Sequence, residues 1–312
     1  MKRVSLGGVK VRVVRCPAVE PSRVTITSAD GLSLRGEAWG EIAATEGRTP
    51  IVFLHGGGQT RHAWGNTAAR MALGGAYVVT MDHRGHGDSD WPPAGDLGAG
   101  FDLATFAADV RAIAAWIGRP PAVVGASLGG LAALMAEGER GAGTPPLLRA
   151  LVLVDVAPRM EQEGVTRVIS FMHSGLDGFA SLDEAADAIA AYLPHRKRPR
   201  DTAGLAKNLR QGPDGRWRWH WDPRFVRRDR GDPSFARARL ERAASALSIP
   251  TLVVRGRMSD VLSDEGVREL RALVPHAEYA DVAGAAHMVA GDDNDAFSVA
   301  VAAFLARVDA AK

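Results

Sequence analysis

Short runs of consecutive apolar residues alternate along much of the chain with longer stretches of helix-forming residues. The apolar runs predict buried strands at residues 51–54, 77–81, 121–124, 151–154 and 251–254, and a last strand is expected near 277–282. The longer stretches predict helices at residues 67–74, 103–117, 264–273 and 294–309, with another helix opening near residue 130. Strand–helix units with wholly apolar strands are typical of a parallel sheet covered by helices on both faces. The pattern therefore predicts a protein of the α/β class.

Two parts of the chain depart from this alternation. Near the N-terminus, Asp30-Gly31 lies between two strand-like segments and predicts an antiparallel hairpin. Between residues 158 and 246 the chain has helical pieces and a period-two segment at 216–221 that predicts a β-ribbon, but no buried strand run. We interpret residues 158–246 as a mainly helical lid inserted between two core strands. Residues 1–157 and 247–312 then form the core.

Composition excludes several classes of protein. The 312 residues are 46% hydrophobic and 24% charged, which is typical of a globular chain. A formal net charge of +2 is too close to neutral to indicate a surface that binds nucleic acid. No apolar run approaches the ~18 residues that a membrane span requires, and Met1-Lys2-Arg3 is not followed by the apolar region of a secretory signal. Cys16 is the only cysteine, so no intrachain disulfide can form and a cytoplasmic location is expected. The sequence leaves the oligomeric state open.

A candidate nucleophile lies between the third apolar run and the helix that follows it. Residues 125–129 read Gly-Ala-Ser-Leu-Gly. A strand that turns sharply into a helix at Ser127 would lift its hydroxyl out of the sheet, and the flanking glycines leave room for that turn. This context favours a nucleophile elbow over an ordinary glycine turn.

A serine hydroxyl needs a base and an orienting acid to act as a nucleophile at neutral pH. His287 is the candidate base, because it lies on a small-residue loop between the last predicted strand and the last helix. Asp260 is the preferred acid, since a short loop after the strand at 251–254 could carry it to the histidine. Asp155, directly at the end of the preceding strand, is the alternative.

The segment after the first parallel strand, His55-Gly56-Gly57-Gly58, is the candidate oxyanion loop. Glycines here let backbone N–H groups face the nucleophile without a Cβ in the way. We assign the two donors to the N–H groups of Gly57 and Leu128, with Gly58 as the alternative to Gly57. His55 is expected to be a structural hydrogen-bonding residue.

Together these residues resemble the α/β-hydrolase superfamily, and the resemblance extends from the loop at 55–58 to His287. It implies a mostly parallel central sheet flanked by helices, with an inserted helical lid, and no cofactor or metal ion. The segment 82–89 also resembles a family segment that is structural, so Asp82 and Arg84 are expected to be scaffold. The lid position resembles the branch of epoxide hydrolases, haloalkane dehalogenases, cofactor-free haloperoxidases and meta-cleavage-product hydrolases. Epoxide hydrolases and dehalogenases of that branch have aspartate at the elbow; Ser127 implies acyl transfer to water instead.

The expected activity is therefore that of a serine esterase, which cleaves a small to medium carboxylic ester or lactone through an acyl-enzyme. A carbon–carbon bond hydrolase acting on a diketone and a slow-turnover ligand receptor remain alternatives. His62, Trp64 and Trp219 are weak candidates for substrate contact; each could equally be a packing residue. Trp217 and Trp221 either line the pocket as well or anchor the lid.

Overall fold

A mixed sheet forms the centre of the molecule. The computed structural model describes residues 4–6, 9–11, 20–45, 47–95, 100–141, 143–194, 198, 200–227, 233–283, 285–287 and 295–311. Within these ranges, eight strands make up the sheet: β3 (Ser22–Thr27), β4 (Ser33–Trp39), β5 (Ile51–Leu54), β6 (Val78–Met81), β7 (Ala122–Ala126), β8 (Ala150–Val154), β11 (Thr251–Gly256) and β12 (Glu278–Val282). Their order is β12-β11-β8-β7-β5-β6-β4-β3. The six strands from β12 to β6 are parallel, and β4 and β3 add an antiparallel edge.

The helices lie between the strands in chain order. They are α1 (Gly65–Leu73), α2 (Leu103–Ile117), α3 (Leu128–Gly138), α4 (Gln162–Ser174), α5 (Leu182–Tyr192), α6 (Arg224–Arg227), α7 (Pro233–Ser245), α8 (Asp264–Leu273) and α9 (Asp295–Ala310). Two small antiparallel pairs complete the described elements: β1 (Val4–Leu6) with β2 (Val9–Val11), and β9 (Leu209–Gln211) with β10 (Trp217–Trp219). The part of the chain that the structure describes contains no helix long and apolar enough to cross a membrane.

Local sequence explains where several helices begin. The side chains of Asp102, Ser181 and Ser263 accept backbone N–H groups at the starts of α2, α5 and α8, respectively. Such N-caps satisfy donors that have no partner within the helix. The predicted hairpin at Asp30-Gly31 is confirmed, because β3 and β4 pair antiparallel around it.

Two apolar layers enclose the sheet, as expected when parallel strands are buried on both faces. On one side α2, α3 and α7 pack on the sheet through residues such as Val110 and Leu134. On the other, Trp64, Phe297 and Phe304 join α1 and α9 to the opposite faces of the same strands. The expected α/β fold, with a mostly parallel sheet flanked by helices, is confirmed.

The segment between β8 and β11 carries α4 to α7 and the β9–β10 ribbon. The period-two pattern around Trp217 correctly predicts this ribbon. At the far end of the segment, α7 packs on the core helix α3: Leu240 and Ala243 are buried with it, and Arg239 forms an ion pair with Glu139. The division at residue 246 between lid and core stays a prediction, and α7 lies on the lid side of that boundary while packing as a core helix does.

Candidate active site

Ser127 occupies a strained turn at the carboxyl end of β7. Its backbone has φ 44° and ψ −113°, a conformation that residues other than glycine rarely adopt. The turn is tight because Gly125 and Gly129 face each other: a Cβ on Gly125 would lie 2.5 Å from the carbonyl carbon of Gly129. The strand–turn–helix geometry is that of a nucleophile elbow.

Asp155 follows β8 directly and is the second strained residue, with φ 52°. Its carboxylate is fully buried. One oxygen, Oδ1, accepts the backbone N–H of Gly256 at 3.0 Å. The other, Oδ2, lies 2.8 Å from Nδ1 of His287. Because an ionised carboxylate only accepts hydrogen bonds, Nδ1 is the protonated nitrogen and Nε2 is left as the basic one.

The position of Asp155 corrects the choice of acid. Asp260 forms an ion pair with Arg167 of α4 at 2.7 Å, and its carboxylate is about one-third exposed. The hydrogen bond to His287 that was expected of Asp260 is made by Asp155, the alternative. The physical reason is that the loop after β11 turns back on α4, where Glu161 donates its N–H to Val261 O at 2.8 Å.

His287 is brought to Asp155 by the loop that follows β12. This loop is tied to the end of β11, since Met258 donates its backbone N–H to Ala285 O at 2.9 Å and Arg257 donates to Val282 O at 3.0 Å. The ring is half-buried and lines the same cavity as Ser127. A general base must come within hydrogen-bond reach of the serine hydroxyl in order to take its proton.

The oxyanion loop lies against the elbow. Leu128 is the first residue of α3, so its N–H has no partner within the helix. Gly58, the alternative donor, gives its N–H to Nε2 of His86 at 3.1 Å. Because the Gly58 N–H is used in this hydrogen bond, the expected pair of donors stays Gly57 and Leu128. Gly57 also lies close to α6, because a Cβ there would be 2.9 Å from the ring of Phe225.

Three histidines form a buried scaffold beneath this loop. His55 Nε2 accepts the N–H of His83 at 3.1 Å, and Nδ1 of His55 lies 2.8 Å from Gly56 O. Nδ1 of His86 lies 3.0 Å from Arg84 O. Burial lowers the pKa of His83 to about 4 and holds the pKa of His55 well below its usual value, with the neighbouring histidines adding to the effect on His55. These neutral rings position the backbone of the oxyanion loop, in agreement with the structural role expected of His55.

The buried histidines make stability depend on pH. Below about pH 6.5 a histidine in the unfolded chain binds a proton, whereas His83 in the folded protein does so only near pH 4. The unfolded state therefore binds more protons in this window. We expect the free energy of unfolding to fall as pH drops from 6.5 to 4, by about 1.4 kcal/mol per pH unit for each such histidine.

Urea denaturation at pH 7 and pH 5 measures this dependence. His83→Gln removes one titrating group and is expected to flatten the slope, while His173→Gln, at an exposed position on α4, leaves it unchanged. Equal slopes for wild type and His83→Gln would contradict the assignment.

Asp82 and Arg84 are scaffold residues, as expected. Asp82 accepts the backbone N–H of Arg61 at 2.6 Å, forms an ion pair with the Arg61 guanidinium and accepts the N–H of Asp88 at 3.0 Å. Arg84 pairs with Asp109 at 2.6 Å and with Asp30 at 2.7 Å. These charge-assisted bonds tie the loop at 82–89 to the hairpin and to α2, which stabilises the floor of the site.

A cavity of about 1490 Å³ opens above Ser127 and is also lined by Gly57, Leu128 and His287. Much of its wall is apolar and comes from the segment between β8 and β11. Its larger side chains include Phe171, Met172, Tyr192, Trp219, Trp221 and Phe225. A mainly apolar cleft with a few convergent polar groups is the usual form of a small-molecule site.

The three weak candidates for substrate contact lie in different places. His62 and Trp219 line the cavity. Burial, with Arg61 nearby, lowers the pKa of His62, which favours the neutral ring. Trp64 does not line the cavity: it is fully buried on the opposite face of the sheet, with its ring centroid 4.9 Å from that of Phe53 and 5.8 Å from that of Phe297. The expectation of substrate contact for Trp64 is therefore corrected; packing is its role.

The sequence does not identify the residues between β8 and β11 that touch the oxyanion loop. Phe225 and Met172 lie against Gly57 and Gly58, respectively. In the sequence, nothing distinguishes Phe225 and Met172 from the other apolar residues between β8 and β11. Of the three tryptophans at positions 217, 219 and 221, Trp219 and Trp221 line the cavity.

Within the described ranges, no group of three or more His, Cys, Asp or Glu side chains is arranged to hold a metal ion. His83 and His86, three residues apart, instead face backbone carbonyls: Nε2 of His83 lies 2.9 Å from His55 O, and Nδ1 of His86 lies 3.0 Å from Arg84 O.

Fold and sequence comparisons agree on the class of protein. The pattern of the alpha/beta hydrolase family matches residues 51–300, and the chain belongs to this family. It is 33% identical over 237 residues to the esterase Rv0045c of Mycobacterium tuberculosis, covering 72% of each chain. It is 29% identical over 262 residues to the 3-hydroxybutyrate-oligomer hydrolase of Cupriavidus necator, covering 80% of this chain and 85% of that one.

Among solved structures, an alpha/beta hydrolase from Novosphingobium aromaticivorans superposes with a TM-score of 0.76 at 25% identity, over 93% of this chain and 99% of that one. These relatives support hydrolase activity, with ester hydrolysis the activity named for the esterase of M. tuberculosis.

Proposed function

We propose that the protein is a serine hydrolase that cleaves small to medium carboxylic esters or lactones, with Ser127, His287 and Asp155 as its triad. The observation that carries this proposal is the hydrogen bond of 2.8 Å between His287 Nδ1 and the buried Asp155 carboxylate, in a cavity shared with the strained Ser127. The esterase relatives support the same reaction.

In the proposed first step, His287 Nε2 takes the hydroxyl proton of Ser127 while Oγ attacks the ester carbonyl carbon. The carbonyl oxygen becomes an oxyanion, held by the N–H groups of Gly57 and Leu128. The C–O bond then breaks, and the imidazolium gives its proton to the departing alcohol. Water repeats the sequence on the acyl-enzyme and releases the acid and Ser127. One oxyanion donor typically contributes a factor of about 10² to 10³ in rate.

The cavity wall supports an apolar substrate. Leu128, Leu131 and Met135 face it from successive turns of α3, which places an apolar stripe about 10 Å long beside the nucleophile. A hydrophobic chain on this stripe would gain roughly 0.8 kcal/mol for each buried methylene group.

The inserted segment is proposed to act as a lid. Residues of α4, α5 and the β9–β10 ribbon close the cavity on the side away from the sheet, with Val168, Tyr192 and Trp219 among its walls. Residues 158–246 would then select substrates, while 1–157 and 247–312 carry the chemistry.

Hydrolysis of p-nitrophenyl esters from acetate to octanoate tests the proposal, together with labelling by a fluorophosphonate and mapping of the labelled peptide. Turnover with label on Ser127 is the expected result. Label without ester turnover would overturn ester hydrolysis and favour a carbon–carbon hydrolase or a receptor. The absence of both would overturn the triad itself.

Leu131→Trp is expected to shorten the preferred acyl chain, because the larger ring fills the cavity beside α3. We expect kcat/KM for the octanoate ester to fall by about tenfold or more relative to acetate, the scale of one methylene group lost from a hydrophobic pocket. Leu73→Trp, at an exposed position at the end of α1, is the control. An unchanged chain-length profile for Leu131→Trp would contradict the placement of the chain along α3.

A further inference from the structure

The hydroxyl of Ser259 contacts the Asp155 carboxylate directly. Ser259 Oγ lies 2.5 Å from Oδ2 of Asp155, the same oxygen that His287 Nδ1 contacts at 2.8 Å. Ser259 lies in the turn that follows β11, where its N–H donates to Gly256 O at 2.9 Å. Ser259 belongs to none of the sequence motifs described above.

The direction of this hydrogen bond is fixed by the backbone. A hydroxyl has two lone pairs and one proton. Both lone pairs of Ser259 Oγ are used, because the N–H groups of Val261 and Leu262 donate to it at 3.1 Å each. The proton of Ser259 is therefore left to point at Asp155.

Each oxygen of the Asp155 carboxylate thus has its own fixed donor. Gly256 N–H holds Oδ1 at 3.0 Å, and Ser259 holds Oδ2. With both oxygens held, the carboxylate cannot rotate about its Cβ–Cγ bond, and Oδ2 is kept in position for His287.

Charged side chains on the surrounding elements are paired with one another in the described part of the chain. These pairs are Asp260 with Arg167 of α4, Arg257 with Asp281 of β12, Arg255 with Asp264 of α8, and Arg159 with Glu265 and Glu269. Glu161 accepts the hydroxyl proton of Ser263. Among the described residues, Asp155 is therefore the group that contacts Nδ1 of His287 at hydrogen-bond range, and Ser259 acts on His287 through Asp155.

We propose that Ser259 is a positioning residue of the triad: it fixes the Asp155 carboxylate for His287 and, by donating its proton, reduces the negative charge that Asp155 presents to the imidazolium. The proposal rests on the function proposed above. Removing the hydroxyl would free one oxygen to move and would leave more charge on Oδ2, which favours the protonated ring.

Ser259→Ala tests this inference with p-nitrophenyl esters. We expect kcat to fall about tenfold with KM changed less than about twofold, since the lost contact acts on the transition state through His287. The midpoint of the acidic limb of the kcat/KM profile is expected to move up by about half a pH unit. Ser259→Thr keeps the hydroxyl and is expected to restore both values.

Ser263→Ala is the matched control. Ser263 is in the same loop, caps α8 by accepting Gly266 N–H at 3.1 Å and donates to Glu161 at 2.5 Å, without contacting Asp155. It should lose thermal stability as Ser259→Ala does, with the wild-type pH profile retained. If Ser259→Ala has a profile that superimposes on wild type, or one moved to lower pH, its role is structural and the inference is overturned.

Fluorophosphonate labelling measured against pH separates this failure from failure of the proposed function. It reports the activation of Ser127 by His287 without requiring turnover of any ester. If the wild-type protein is neither labelled by the fluorophosphonate nor active on the esters, the proposed triad is wrong. If the wild-type protein is both labelled and active, and Ser259→Ala behaves as the wild type does, only the role of Ser259 is wrong.

Discussion

Ser127→Ala is expected to lower kcat for a p-nitrophenyl ester by about a millionfold, the scale on which loss of the nucleophile acts in serine hydrolases. The substitution removes the only atom that would form the acyl-enzyme, while the oxyanion donors and the cavity remain. Residual hydrolysis from those elements alone would still exceed the rate in water by roughly 10³ to 10⁴.

The Ser127→Ala variant should fold normally, because alanine meets the same backbone restriction at φ 44° as serine does. Thermal unfolding provides this control, and substrate binding in the variant, measured by competition with a non-hydrolysable analogue, provides a second. A variant that keeps a tenth of wild-type activity would exclude Ser127 as the nucleophile.

Asp155→Asn is expected to reduce kcat by about 10⁴-fold, since an amide at this position accepts and donates differently from a carboxylate and holds the imidazole in the wrong tautomer. Asparagine is well suited to the comparison because it tolerates the left-handed backbone that residue 155 adopts at φ 52°. The loss should therefore report on the hydrogen bond to His287 and not on the fold.

Asp260→Asn separates the two candidate acids. It breaks the partly exposed ion pair with Arg167, a type of contact that contributes about 0–1 kcal/mol, and should change kcat less than about threefold. Steady-state kinetics on both variants show which of the two aspartates is the acid of the triad. If Asp260→Asn loses activity by orders of magnitude while Asp155→Asn does not, the acid is Asp260, after β11. The hydrogen bond between Asp155 and His287 would then not be part of the catalytic arrangement.

The fold could be predicted because its strands are defined by short apolar runs. The strand predicted at 51–54 matches β5, and the helix predicted at 103–117 matches α2. The elbow followed from the chain's local chemistry, since a small-residue turn between a strand and a helix constrains the backbone by itself. These features depend on neighbours within a few residues.

The acid and the pocket walls depend on contacts between distant segments, and there the sequence was ambiguous. Asp155 and Asp260 both follow buried strands, so position along the strand could not choose between them. The choice is made by the turn at 256–262, which directs Ser259 toward Asp155 and Asp260 toward Arg167. The expectation of substrate contact for Trp64 was wrong for a similar reason. Its closeness in sequence to the oxyanion loop does not determine which face of the sheet it packs on.

The chain has two residues other than glycine at positive φ within the described ranges, Ser127 and Asp155, at the ends of the adjacent strands β7 and β8. Each such conformation costs of the order of 1–3 kcal/mol, which is a substantial part of a typical folding free energy. Glycine at either position is expected to relieve this strain and to abolish the proposed chemistry, so folding stability and catalysis compete at these two positions.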